Sequence, residues 1–256
     1  MNSRFLIPLA IISFIIIGSI WFARKPHSNS HTQTTETLII GTNAEFPPFS
    51  FIDQDQIVGF DIDVIKEVAQ RIKKNIIFSN MSFEALIPEL QVGTIHAIAA
   101  GMTPTQERAK RVFFTTPHFT GDPLLAVQKK GAMPITTSEQ LLGKTVVVNQ
   151  GYTADQYVTN LGVSDIVRLS SPLISTGLLA INSGQADLFL AAKSSLQPFL
   201  AKQSDAYQIS TIENTAESSA LAISKKYPQL FSAIQAALSD MIADGTIANL
   251  AKKWNL

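Results

Sequence analysis

The sequence predicts an α/β fold built as two lobes, each a doubly wound sheet with helices on its faces. Two observations predict it. Between Leu38 and Gly101 short apolar runs alternate with segments of helical apolar spacing, and after residue 125 the same alternation starts again. A length of 256 residues fits, because it lets two modest domains each bury a core.

Leu38-Ile39-Ile40 is a continuous apolar run stopped by Gly41, the pattern of a strand buried on both faces. The loop over 43–50 carries Pro47-Pro48 and leads to a helix that Asp61 can cap. Val64, Ile65, Val68, Ala69 and Ile72 recur there at helical spacing, with Arg71, Lys73 and Lys74 at the negative end of the dipole. Ile76-Ile77-Phe78 gives a second strand, 83–91 a helix closed by Gly93, and 95–100 a third strand ending at Gly101. In the second unit we expect strands over 124–128, 145–148 and 166–169, helices near 137–142, 154–160 and 176–182, and an apolar run over 186–192. A strand over 220–223 and helices over 227–243 and 247–253 close the chain. Ligands of open α/β sheets sit beyond the carboxyl ends of the strands, which puts the loops after Ile40, Ala100, Val148 and Ala192 around one cleft.

Twenty basic side chains balance twenty acidic ones, so there is no basic excess for a nucleic-acid partner. Cysteine is absent, which removes disulfides, thiolate metal sites, a cysteine nucleophile and a lipid-modified cysteine after a leader. The four histidines show no metal spacing, and no metal or cofactor is expected. Arg4 precedes an apolar run over 5–22, broken only by Pro8, Ser13, Gly18 and Ser19, with Arg24 and Lys25 behind it, as in an export signal. Trp21 stands where cleavage wants a small residue, and the run approaches the roughly 20 residues that span a bilayer. Residues 1–25 are therefore read as a signal peptide or an N-terminal membrane anchor. Residues 26–37, rich in Ser, Thr, His, Asn and Gln, are read as a flexible linker.

Several stretches occur in a fixed order. They are Gly41-Thr42-Asn43-Ala44-Glu45-Phe46-Pro47-Pro48-Phe49, Gly59-Phe60-Asp61-Ile62-Asp63 and Leu86-Ile87-Pro88-Glu89-Leu90. Gly101-Met102-Thr103-Pro104-Thr105-Gln106-Glu107-Arg108 follows, then Leu142-Gly143-Lys144 before a valine strand, Gln150-Gly151-Tyr152-Thr153, and Asp244-Gly245-Thr246 running on to Lys253-Trp254. Together they resemble the amino-acid solute-binding proteins of ABC importers, family 3, of the basic amino-acid or arginine-binding type. The resemblance implies a two-lobe periplasmic-binding-protein type II clamshell, with 38–124 plus 221–256 as lobe 1, 125–220 as lobe 2, and two crossing strands between them. It further implies a monomer outside the cytoplasm that closes on a free amino acid and is read by an ABC transporter permease.

Arg108 stands where the family's carboxylate-binding arginine lies; a guanidinium offers the paired donors that a lysine cannot. Taken alone it is an arginine solvated beside Glu107 and Lys110. Gly101, Met102 and Thr103 form the loop after an apolar strand, where backbone groups and a hydroxyl can bond the ligand's carboxylate and ammonium, though plain turn residues need no such role. Gln150 and Thr153 flank the matching turn of the second lobe, and Thr153, opening a helix, suits either the carboxylate or a cap. Phe46 and Phe83 match the family's ligand-facing rings, with core packing as the plain alternative; a stacked cation is worth about 0.5–2 kcal/mol. Asn43 and Glu45, on the first cleft loop, set specificity in this reading, and the Glu45 carboxylate favours a cationic side chain, arginine before lysine.

The chain departs from the family at Ala192, where an aspartate holding the α-ammonium is usual. An ammonium without a carboxylate is costly in a closed cleft, so either Glu217 substitutes or Gly101 and Thr103 hold the head group. His96 and His118 replace the more usual aspartate and tyrosine and are read as structural or surface changes. Asp61 and Asp63 are read as carboxylates at a helix start. A cyclohexadienyl-dehydratase-like enzyme on this fold would need an acid or base over the ligand; no Ser/His/Asp or metal constellation is visible, although Glu45 is available. A ligand-sensing domain would need a separate signalling partner, since the chain ends at Trp254-Asn255-Leu256. Binding without catalysis is the expected function.

Overall fold

The computed structural model describes residues 36–170 and 173–256, so the leader or anchor expected at 1–25 and most of the linker lie outside the described residues. Among the described residues no helix is long and apolar enough to cross a membrane.

The first lobe opens with β1 (Thr37–Thr42), followed by an antiparallel meander of β2 (Glu45–Phe46), β3 (Ser50–Asp53) and β4 (Gln56–Val58). Gly59 then holds φ at 137°, and a Cβ there would come within 2.2 Å of the Phe49 carbonyl oxygen. Only glycine brings the meander so close to α1 (Phe60–Arg71). After α1 come β5 (Asn75–Asn80), α2 (Phe83–Val92), β6 (Ala97–Ile98), α3 (Gln106–Arg111) and β7 (Phe113–Phe114). The chain leaves through β8 (Phe119–Asp122).

The second lobe holds β9 (Leu124–Lys129), β10 (Thr145–Asn149), α4 (Thr153–Leu161), β11 (Asp165–Leu169), α5 (Ile174–Ser183), β12 (Leu188–Ala192), α6 (Lys193–Gln203) and β13 (Tyr207–Thr211). The chain returns through β14 (Glu217–Ser219) to β15 (Ala222–Ile223), α7 (Pro228–Ala243) and α8 (Thr246–Lys253). β8 and β14 pair antiparallel, with Glu217 opposite Asp122, and form the ribbon that joins the lobes.

The first sheet has the order β5-β1-β6-β15-β7 and the second β11-β10-β12-β9-β13. In each, three parallel strands are extended by antiparallel ones. Both faces are buried by alternation along single strands. Val146 and Val148 pack with Val158 and Leu190 on one side of the second sheet, while Val147 packs with Ile181, Phe189 and Leu196 on the other. In the first lobe Leu38, Ile40, Val64, Val68 and Leu238 form one core layer, and Leu86, Leu90, Ile95 and Val112 the other. The chain order reverses beside β1 and β10, so the crevices past their carboxyl ends are where such sheets take ligands.

Three expectations are corrected. The helix near 137–142 is a single 3-10 turn, Glu139–Leu141, closed by Gly143 at φ 75°, with Leu141 its one buried residue. The strands expected at 95–100 and 220–223 pair only over Ala97–Ile98 and Ala222–Ile223. Asp61 is not a cap: Gly59 holds that position, and Asp61 is fully buried within α1.

Candidate functional site

The loops that follow β1, β6, β10 and β12 surround one cleft that both lobes and the crossing ribbon line, the place where two-lobed α/β proteins take small molecules. Glu45, Phe46, Phe83, Gly101, Thr103 and Arg108 line it from the first lobe. Tyr152, Thr153, Ala192 and Ser195 line it from the second, and Asp122, Glu217 and Ser219 from the crossing ribbon.

Arg108 belongs to α3, whose first turn is fixed by Thr105: its hydroxyl accepts the Arg108 backbone N–H at 3.3 Å. The side chain therefore points into the cleft instead of water, and the residue is 5% exposed. Nη1 donates to the Thr103 carbonyl at 2.9 Å and Nη2 to the Gly151 carbonyl of the other lobe at 3.0 Å. Each of these nitrogens carries two hydrogens and uses one of them in these bonds, which leaves a further N–H on each for a carboxylate. Burial pulls the guanidinium's pKa down to about 10 against the pull of Glu217 and Glu107, so it remains a cation at neutral pH.

The loop that carries Gly101 to Thr103 is held from behind. Asp61 accepts the Gly101 N–H at Oδ2 (2.7 Å) and lies 2.8 Å from His118 Nε2 at Oδ1. A carboxylate only accepts, so Nε2 carries the proton. The Gly101 amide, expected to meet the ligand, is thus already taken by Asp61. Gly101 has φ 61°, and a Cβ on it would sit 2.6 Å from the Phe46 ring, so the strand end fits beneath that ring only as glycine. Met102, also expected in the site, is buried in the first lobe's core, with its carbonyl accepting the Ala220 N–H at 3.0 Å. His96 is structural, its Nδ1 accepting the Ile39 N–H at 3.0 Å.

A residue given no role from sequence closes the cleft. Tyr152, just before α4, stacks on Phe83 with ring centres 4.6 Å apart, meets Phe46 edge-on at 5.6 Å, and donates its hydroxyl to Asn43 Oδ1 at 2.9 Å. All three partners belong to the first lobe, so Tyr152 is a bolt between the lobes. Its hydroxyl pKa is raised by burial and by Glu45 and Glu84. Phe83 also faces the Arg108 guanidinium at 5.2 Å, which fills the place sequence reasoning gave to a ligand cation. Phe46 stacks on Phe49 at 5.3 Å and still lines the cavity. Asn43 is buried behind Glu45, its amide donating to Glu45 Oε2 at 3.4 Å and to the Met81 carbonyl at 3.3 Å. Gln150 is exposed in a neighbouring groove outside the main cavity.

Thr153 does line the cavity, and its hydroxyl donates to Glu217 Oε2 at 2.7 Å. Burial raises the Glu217 carboxyl to about 7; the Thr153 hydrogen bond opposes this, neighbouring Asp122 adds to it, and Arg108 opposes it. Asp122 is itself raised by burial, although Ser194 donates both its backbone N–H and its hydroxyl to it. The cavity thus offers a buried cation, two carboxyl groups at the ribbon, an acid at Glu45 and an aromatic floor. Such a set can hold a small zwitterion with a polar tail.

Residues 38–256 match the family described as bacterial extracellular solute-binding proteins, family 3. A stretch of 124 residues is 40% identical to a putative ABC transporter arginine-binding protein 2 of Escherichia coli; it spans 48% of this chain and 50% of that protein. The arginine-binding extracellular protein ArtP of Bacillus subtilis is 28% identical over 89% of each chain. Among solved structures, holo ArgBP from T. maritima superposes with a TM-score of 0.72 at 32% identity, covering 86% of this chain and 96% of that one.

Proposed function

The chain belongs to family 3 of the bacterial extracellular solute-binding proteins, and from that premise we propose that it captures a free basic amino acid, arginine before lysine, and delivers it to an ABC transporter. It is a binding protein and not an enzyme. The observation that carries the proposal is Arg108, a buried cation in the cavity between the lobes that bonds a carbonyl in each of them.

In this reading Arg108 and the backbone of Thr153 at the start of α4 take the ligand's α-carboxylate, Phe46 lies against its aliphatic stem, and Glu45 meets the distal cation. Gly101 and Met102 shape the loop, Asn43 and Phe83 seat Tyr152, and Gln150 stands at the rim. Residues 38–124 plus 221–256 close against 125–220, and the permease reads the closed pair. The protein works as a monomer outside the cytoplasm, and residues 1–25 either leave as a signal peptide or stay as a tether. Support for a basic ligand comes from Glu45 and from the arginine-binding names of the relatives. A thermal-shift screen of the common amino acids tests it: arginine should give the largest stabilisation, and a larger shift with glutamine or glutamate refutes the basic-ligand assignment.

A further inference from the structure

Among the described residues, Glu217 is the one ribbon position that hydroxyls from both lobes reach. Its Oε2 accepts from Thr103 Oγ1 of the first lobe at 3.3 Å and from Thr153 Oγ1 of the second at 2.7 Å. Its Oε1 takes no hydrogen bond from any described residue, and the side chain lines the cavity. The charged groups that act on it are Asp122 of β8 and Arg108 of α3; Lys193 stands behind Asp122, and Tyr152 at the head of α4 acts on Arg108. Arg108 and Glu217 face the same cavity without forming an ion pair, and Thr103 stands between them, its carbonyl toward the cation and its hydroxyl toward the acid. An α-amino acid's head group is the complement of this arrangement, a carboxylate and an ammonium one carbon apart. At the end of β12, Ala192 supplies no acid for that ammonium.

We propose that Glu217 is the acceptor of the ligand's α-ammonium, in the role that Ala192 leaves empty, and that the arriving ammonium displaces a proton from it to solvent. The proposal rests on the amino-acid reading above. The step balances: the carboxylic acid and the ammonium become a carboxylate–ammonium pair and one released proton. Geometry comes first, and protonation follows from it. A carboxyl buried beside Asp122, with only hydroxyl donors, is held up to about 7. A share of the empty molecules therefore carries the proton near neutral pH, and a cation within hydrogen-bond reach favours the ionised form. Binding near neutral pH should therefore release protons, fewer than one per ligand.

Calorimetry with two probes in buffers of different ionisation enthalpy tests this. The probes are L-arginine and 5-guanidinopentanoate, which keeps the carboxylate and guanidinium and lacks the α-amino group. With the wild-type protein, L-arginine should release protons and 5-guanidinopentanoate should release none. In Glu217→Gln, L-arginine should bind on the order of 100-fold more weakly, the loss of a charge-assisted bond, while the affinity for 5-guanidinopentanoate changes less than about threefold. L-arginine binding with no buffer dependence in the wild type overturns the proposal, as does a folded Glu217→Gln that keeps wild-type affinity. The wild-type measurement stands even if the variant fails to fold. If no amino acid binds the wild type, the amino-acid reading fails first and this one with it.

Discussion

Replacing Arg108 with methionine should separate binding from stability. The guanidinium is 5% exposed and bonds the Thr103 and Gly151 carbonyls at 2.9 and 3.0 Å. Truncating one partner of a buried, hydrogen-bonded charge pair costs about 2–5 kcal/mol, so affinity for arginine should fall roughly thirty-fold to several thousand-fold. The empty protein should lose less than the bonds alone would suggest. Lowering the guanidinium's pKa from 12.5 to about 10 corresponds to roughly 3 kcal/mol of burial cost in the charged form, which methionine removes. Against that gain stand two lost bonds from a charged donor, about 1.5–3 kcal/mol each. The opposing effects leave a net change in unfolding free energy of no more than about 3 kcal/mol, within the reach of urea denaturation. Calorimetric titration reads the affinity. A folded Arg108→Met protein that binds arginine within threefold of wild type would refute the role of the guanidinium, and a collapse of stability would refute the balance.

Tyr152→Ala removes a stack, an edge contact and a hydroxyl bond between the lobes, about 1.5–4 kcal/mol in all. The empty variant should have a larger radius of gyration by small-angle X-ray scattering, Tyr152→Phe a smaller change, and an unchanged Tyr152→Ala profile contradicts the bolt. Asp61→Ala leaves the Gly101 N–H and His118 Nε2 without their buried partner and should cost about 3–5 kcal/mol in urea denaturation; a loss under 1 kcal/mol argues against it. Glu217 sets a pH dependence. Its folded pKa of about 7 lies above the ordinary 4.5, so between those values the folded state holds more protons and stability falls as pH rises. Glu217→Gln should gain on wild type by roughly 2–3 kcal/mol from pH 4.5 to 7.5 in denaturation experiments, and parallel curves contradict the shift.

Much of the fold was legible because burial on both sheet faces writes itself into continuous apolar runs. Val146-Val147-Val148 and Leu38-Ile39-Ile40 could be little else than central strands, and the loops after them had to share a cleft. The crossing ribbon was not legible as strands, since Phe119-Thr120-Gly121-Asp122 and Glu217-Ser218-Ser219 show no apolar alternation and pair only because both ends are fixed by the lobes. Arg108, Phe46, Thr103 and Thr153, picked out from their loops, all line the cleft. One residue was misjudged and another passed over for want of distant partners. Asp61 falls near a helix start, where a cap is the simple reading, and only His118, 57 positions away, and the Gly101 amide reveal its role. Tyr152 lies in a recognised turn, yet its ring acts through Phe83 and Asn43 in the other lobe. The core packing of the Met102 side chain depends on partners distant in sequence, such as Leu86 and Ala222, which its loop does not announce.

The central claim is that a buried guanidinium at Arg108 grips the α-carboxylate of a free amino acid between the lobes. Titrating the full protein with L-arginine and with agmatine, its decarboxylated analogue, tests it most directly. The account predicts saturable binding of L-arginine and a loss of at least about thirty-fold with agmatine. Equal affinity for the two would show that the carboxylate, and with it Arg108, does not hold the ligand.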